Sequence, residues 1–168
     1  MNGSNTMKPH RVLFVCLGNI CRSPTAEGVF RHQVSALGLE RYIEIDSAGT
    51  GAWHVGNPPD IRAQQTARQR GIDLSSLRAR QVTKNDFEYF DTIIAMDRNN
   101  QTDLCRLADS QYHEKIHLFL QFAPGISEDE VPDPYYGHGD GFSRVFDMIE
   151  VAGDGLISYI EQRRPAPL

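Results

Sequence analysis

An apolar run, Val12-Leu13-Phe14-Val15, ends on Cys16, and a turn of Leu17-Gly18-Asn19-Ile20-Cys21 leads to Arg22 and Ser23. The run has the length and composition of a strand buried on both faces of a sheet. From Thr25 the apolar positions change step: Ala26, Val29, Phe30, Val34 and Leu37 recur at helical spacing. A strand that feeds a helix through a glycine-containing loop constrains the fold more than any other feature of the chain. It places the loop at the carboxyl edge of a sheet, where α/β proteins bind ligands. The loop carries a potential nucleophile, a fixed cation and several backbone N–H groups, which together make an anion-binding catalytic loop.

The same alternation continues downstream. Strands are expected over residues 11–16, 42–48 and 92–96, with a weaker one over 115–119. Helices are expected over 23–37, closed by Gly38; over 61–70, capped by Asp60 and closed by Gly71; over 83–90; from Asp97 to 107; and over 143–163. Between them lie a glycine- and proline-rich loop at 49–59 with the single tryptophan, Trp53, an irregular basic stretch at 74–81, and a long loop at 124–141. This predicts an α/β fold: a doubly wound, central four-stranded parallel sheet with right-handed crossovers, flanked by helices on both faces. Cys16, the 47–53 loop and Asp97 each follow a strand and are expected to gather at one edge. Strand order is not visible at this level. Residues 1–9 read as a flexible polar tail and 10–164 as a single domain, without repeat, low-complexity segment or linker.

Bulk composition narrows the function classes. The 168 residues, 40% hydrophobic and 23% charged, suffice for one domain with a real core. A net charge of −5 gives no global attraction to nucleic acid or an anionic membrane, so an anionic substrate needs a local positive site. Three cysteines without a framework spacing indicate a reducing compartment, and no leader pattern or membrane span is visible, so a cytoplasmic location is expected. The six histidines and the nearby cysteines lack metal-ligand spacing, and neither a metal nor a cofactor is expected.

At the loop itself, converging N–H groups and the positive end of the following helix both favour an anion. The same field favours the thiolate of Cys16, the nucleophilic form. Arg22 can offer a planar fork to two phosphate oxygens. Ser23 can donate a hydrogen bond to the sulfur, Gly18 lets the backbone curl, and Asn19 can brace the loop. No Gly-Lys-Ser/Thr follows at nucleotide-loop spacing. The blander possibility is a structural cysteine beside a surface arginine; the flanking strand and helix argue against it. Alone, the loop is compatible with reduction, phosphoryl carriage or hydrolysis.

The string Val15-Cys16-Leu17-Gly18-Asn19-Ile20-Cys21-Arg22-Ser23-Pro24-Thr25-Ala26-Glu27 resembles the low-molecular-weight protein tyrosine phosphatases. So, in order, do Asp46-Ser47-Ala48-Gly49-Thr50, Trp53-His54-Val55-Gly56, Ala95-Met96-Asp97 and Val131-Pro132-Asp133-Pro134-Tyr135-Tyr136-Gly137. The resemblance implies hydrolysis of phosphotyrosine through a phosphocysteine on Cys16, with Arg22 clamping the phosphoryl oxygens and Asp133 as general acid and then base. It implies substrate contacts from Leu17, Gly18, Asn19, Ile20, Cys21 and Ser23, and an aromatic slot walled by Trp53, Tyr135 and Tyr136. Ser47 and Asp97 match positions that support the loop. The implied partners are a tyrosine-phosphorylated protein and a cognate tyrosine kinase. Tyr135 and Tyr136 could themselves be phosphorylated, and Cys21 could pair reversibly with Cys16 under oxidation. One departure stands out: Leu77 occupies a place where many members carry histidine, so a bracing hydrogen bond is expected to be missing there.

The rivals each lack something. Arsenate reduction needs a further cysteine pair, and none follows Ser76 within the basic stretch. Phosphoarginine hydrolases that resemble this chain place threonine where Ile20 stands, and an apolar Ile20 suits an aryl ring. A phosphoryl carrier would be undone by Arg22 and Asp133, which promote hydrolysis. A phosphotyrosine-binding module has no use for the Cys16–Asp133 pair.

Overall fold

The computed structural model describes residues 8–135, 137 and 140–163. Most of the expected polar tail, together with Tyr136, therefore lies outside the described residues. The elements run β1 (His10–Cys16), α1 (Arg22–Ala36), β2 (Ile43–Gly49), α2 (Ile61–Gln69), α3 (Lys84–Tyr89), β3 (Thr92–Ala95), α4 (Arg98–Leu107), β4 (Ile116–Leu118) and α5 (Gly141–Arg163). All strand pairs are parallel and the sheet order is β2-β1-β3-β4. The first strand thus sits in the middle, paired to β2 from His10 to Cys16 and to β3 from Val12 to Val15.

Alternation along β1 distributes the core to two layers. Val12, Phe14 and Cys16 face one side with Phe30 of α1 and Phe146, Ile149 and Leu156 of α5. Leu13 and Val15 face the other with Phe87 of α3 and Leu104 of α4. Val12 through Val15 are all fully buried, as expected of a strand covered on both faces. Phe14 packs between Phe30 and Phe119 at centroid distances of 5.3 and 5.2 Å. The doubly wound architecture follows directly from this two-sided burial.

Most expected ends hold. Asp60 accepts from the Arg62 N–H and Asp97 from the Asn100 N–H, and Gly38 and Gly71 adopt φ of +70° and +81°. The fourth strand is shorter than expected because 3₁₀ turns occupy Ser110–Lys115 and Phe119–Phe122 on either side. Helix α1 begins at Arg22, one residue early, with no side-chain cap at Cys21. No helix among the described residues is long and apolar enough to cross a membrane.

At the start of β1 and within β4, burial lowers the pKa of His10 and of His117 below the ordinary 6.5, with Arg163 adding to both and Asp91 opposing at His10. Such histidines bind protons more readily when the chain is unfolded. The stability they contribute is complete above about pH 6.5 and is lost as the pH falls from there through their lowered folded values. The melting temperature is expected to fall between pH 7.5 and 5.5. In scanning calorimetry His117→Gln should flatten that slope; an unchanged slope would remove His117 as a cause.

Candidate active site

The loop between β1 and α1 is built as a cradle and held from behind. Among the described residues, the N–H groups of Gly18, Asn19, Ile20 and Cys21 donate no backbone hydrogen bond. Its carbonyls, by contrast, are anchored: Cys16 O accepts from Thr50, Leu17 O from Gly51 and Ile20 O from Asp60, at 2.7–2.9 Å. Asn19 adopts φ +57°, alone among the described non-glycine residues, a conformation that costs on the order of 1 kcal/mol. Its side chain offsets that cost. Nδ2 donates to Ser23 Oγ at 2.7 Å and Ser47 Oγ at 3.0 Å, while Oδ1 accepts from the Arg80 N–H at 3.0 Å. Gly49, at the end of β2, presses against this backbone. A Cβ there would lie 2.7 Å from Leu17 O and 3.1 Å from the Gly18 carbonyl carbon.

The Cys16 Sγ lies 3.0 Å from Ser23 Oγ, and both side chains are buried. Arg22 is only 3% exposed. Its Nη1 donates to Asp97 Oδ2 at 2.7 Å and to the Val131 carbonyl at 2.9 Å, which leaves Nη2 3.8 Å from Asp133 Oδ2. Burial works against its charge, but Cys16, the hydrogen bond to Asp97 and the nearby Asp133 outweigh it and hold the guanidinium above its ordinary pKa. Asp97 therefore serves twice, as the cap of α4 and as the anchor of Arg22.

Asp133 stands on the opposite loop, with Oδ1 accepting from the Tyr135 N–H at 3.0 Å. Arg62 secures this loop to the first turn of α2. It donates to the Tyr135 carbonyl at 3.2 Å, pairs with Asp60, and lies 4.7 Å from the Phe142 ring. Asp60 in turn donates its N–H to Ile20 O at 2.7 Å, so one helix start holds both loops.

Cys16, Arg22 and Asp133 meet at a cavity of about 300 Å³, within the range of small-molecule sites. Leu17, Gly18, Ile20 and Cys21 shape its floor, and Trp53, His54 and Tyr135 its walls. Trp53 lines the cavity while remaining 73% exposed. The side chains of Asn19 and Ser23 lie buried beneath the loop and brace it, while the Asn19 N–H belongs to the cradle. Ser47 stands behind them and Asp97 behind Arg22.

Leu77 packs against the core, and the neighbouring segment reaches the loop through the Arg80 backbone N–H. A main-chain donor can come from any residue other than proline, so the missing histidine leaves that brace intact. Cys16 and Cys21 are free thiols. Burial pushes the Cys21 thiol well above its ordinary pKa, reinforced by Asp60, Cys16 and Asp133, so it faces the cavity as a neutral group.

Sequence reasoning missed four participants: His54, Arg62, the Val131 carbonyl and the Arg80 N–H. The last two are backbone groups that no side-chain pattern announces. Arg62, two residues after the cap Asp60, could have been flagged as a first-turn residue at a ligand-facing helix start.

A cysteine in an anion cradle, a buried arginine and a carboxylate across an aromatic-walled cavity, all at the carboxyl edge of a doubly wound sheet, make a site suited to an anionic, phosphate-bearing ligand. The comparisons with known proteins agree with that class. The family described as low molecular weight phosphotyrosine protein phosphatase matches residues 11–166. The chain is 52% identical over 134 residues to the low molecular weight phosphotyrosine protein phosphatase of Schizosaccharomyces pombe, covering 79% of this chain and 85% of the relative. The crystal structure of YfkJ from Bacillus subtilis superimposes with a TM-score of 0.90 at 40% identity, covering 95% of this chain and 99% of that one. A protein tyrosine phosphatase structure from Entamoeba histolytica gives 0.88 at 42%, covering 91% and 97%. The chain belongs to the low molecular weight phosphotyrosine protein phosphatase family, and with it to the protein-tyrosine phosphatases.

Proposed function

We infer that this enzyme hydrolyses phosphotyrosine in proteins by a two-step transfer through Cys16. The observation that carries the reading is the convergence of the Cys16 thiol, the Arg22 guanidinium and the Asp133 carboxyl on one cavity with Trp53 and Tyr135 as walls. In the first step the Cys16 sulfur forms a bond to phosphorus and the bond to the phenolic oxygen breaks. Asp133 gives that oxygen its proton. Arg22 and the free N–H groups of residues 18–21 take up charge on the non-bridging oxygens. In the second step Asp133 takes a proton from water as the water oxygen bonds to phosphorus. The phosphorus–sulfur bond breaks, and Ser23 donates to the departing thiolate.

Positive charge at phosphorus comes from the chain itself, so turnover is expected without metal. Ile20 and the aromatic walls favour an aryl ring over an alkyl or guanidino group. The activity is assigned to a single domain over residues 10–164 working in the cytoplasm. A protein tyrosine kinase is the class of enzyme that supplies its substrate.

The test compares phosphotyrosine, phosphoserine and phosphoarginine peptides in the presence of EDTA. Release of phosphate from phosphotyrosine alone is expected; a requirement for divalent metal, or preference for phosphoarginine, would overturn the reading. Gly49→Ala probes the cradle in the same assay. Its methyl group must displace the backbone of residues 17–19 by a few tenths of an ångström or more. Activity should fall by up to about 10²-fold while the protein stays folded, because misplaced catalytic groups lose that much from small shifts.

A further inference from the structure

We propose that Glu27, together with Arg31, is a positioning residue that sets the direction of the hydrogen bonds ending on the Cys16 sulfur. The proposal rests on the reading of Cys16 as nucleophile. It starts from a buried carboxylate that the mechanism does not use. Glu27, on α1, is 4% exposed. Its Oε1 accepts from Ser47 Oγ at 2.7 Å, and its Oε2 accepts from Nε and Nη2 of Arg31 at 3.1 and 2.9 Å. Arg31 also donates to the Ile45 carbonyl at 2.6 Å and is about half exposed.

A carboxylate can only accept, and this fixes everything upstream. The single proton of Ser47 is committed to Glu27, so Ser47 must accept from Asn19. Asn19 therefore presents its NH₂ group to Ser47 and to Ser23, and its carbonyl oxygen to the Arg80 N–H. Ser23, having accepted from Asn19, keeps its own proton, for which the sulfur at 3.0 Å is a nearer acceptor than the Ala48 carbonyl at 3.4 Å. The order of donors runs one way from Ser23 to the carboxylate, with the Ala48 carbonyl as the one competing acceptor for the Ser23 proton.

An amide at position 27 breaks that order. Arg31 offers two N–H donors and draws the amide oxygen, which turns the NH₂ group toward Ser47. Ser47 then has no acceptor unless Asn19 flips, and a flipped Asn19 loses Arg80 and takes the Ser23 proton from the sulfur. Removing Arg31 as well frees the amide oxygen to face Ser47 and restores the original direction. A residue that merely pinned α1 to β2 would behave in the opposite way, since losing both partners would loosen the contact further.

The test measures Cys16 alkylation by iodoacetamide at neutral pH, followed on the peptide that carries it, beside kcat and KM for an aryl phosphate. Glu27→Gln is expected to slow alkylation and lower kcat by about tenfold each, the scale of one hydrogen bond to a charged group, with KM changed less than about twofold. Glu27→Gln/Arg31→Met is expected to recover most of both. Faster or unchanged alkylation in Glu27→Gln, or a double variant no better than the single, would overturn the proposal. Should Glu27→Gln fail to fold, Ser47→Ala interrupts the same chain and must slow alkylation; an unchanged rate counts against the proposal. Alkylation needs no substrate, so a protein that hydrolyses no phosphotyrosine would sink the assigned reaction without deciding this relay.

Discussion

Cys16→Ser is expected to abolish aryl phosphate hydrolysis while leaving the fold and phosphate binding in place. The exchange of sulfur for oxygen is nearly isosteric in a side chain that is 3% exposed, so packing changes little. Chemistry changes a great deal. A thiol is readily ionised by cationic and N–H groups around it, whereas a hydroxyl needs a base to remove its proton. The hydrogen bond that Cys16 makes is to Ser23 Oγ, a group whose own proton points at the sulfur in the proposed relay. Asp133 sits across the cavity and is assigned to the leaving group. A serine here has nothing to activate it. Calorimetry with inorganic phosphate should still show binding, because Arg22 and the free N–H groups remain. Full turnover in Cys16→Ser would refute covalent catalysis at this position.

Asp133→Asn should slow turnover by ~10²–10⁴-fold, the usual yield of general acid–base catalysis. The loss should depend on the leaving group. A phenolate of low basicity departs without a proton, so a nitrophenyl ester should lose least and phosphotyrosine most. Asparagine keeps the acceptor oxygen for the Tyr135 N–H, so the turn at 133–135 stays supported and the change isolates proton transfer. A second signature follows from the two steps. Rapid quench should show an initial release of the nitrophenol followed by a slower phase, because asparagine cannot deprotonate water either. A loss in kcat/KM that is uniform across leaving groups would remove Asp133 from the acid role.

Much of this was legible in the chain. The strand-loop-helix at the start, the caps at Asp60 and Asp97, and the glycines that close α1 and α2 follow local rules that hold regardless of the rest of the fold. Strand order was not legible, because β1 pairs with partners far away in the sequence on both sides. The partners of Asn19 and Ser23 were not legible for a related reason. Sequence places them in the loop, but only the packing of β2 and the 80–82 segment beneath it shows which side they face. Glu27 and Arg31 are harder still. At i and i+4 on a helix they look like a common solvent-exposed pair, and only the approach of Ser47 makes that carboxylate part of the site. Near Leu77 the loop is braced by a main-chain donor, the Arg80 N–H, which no side-chain pattern announces.

Arg22 belongs to the first helix, yet one of its anchors is the carbonyl of a residue 109 positions later. During translation Cys16 and its loop leave the ribosome early, but the two anchors of Arg22 come only with Asp97 and then Val131. Phosphate affinity is thus expected only once Val131 has been made, since a shorter fragment lacks that anchor of Arg22. Phosphate binding by stalled chains of increasing length would accordingly switch on late and abruptly, making this site a built-in reporter of completed folding.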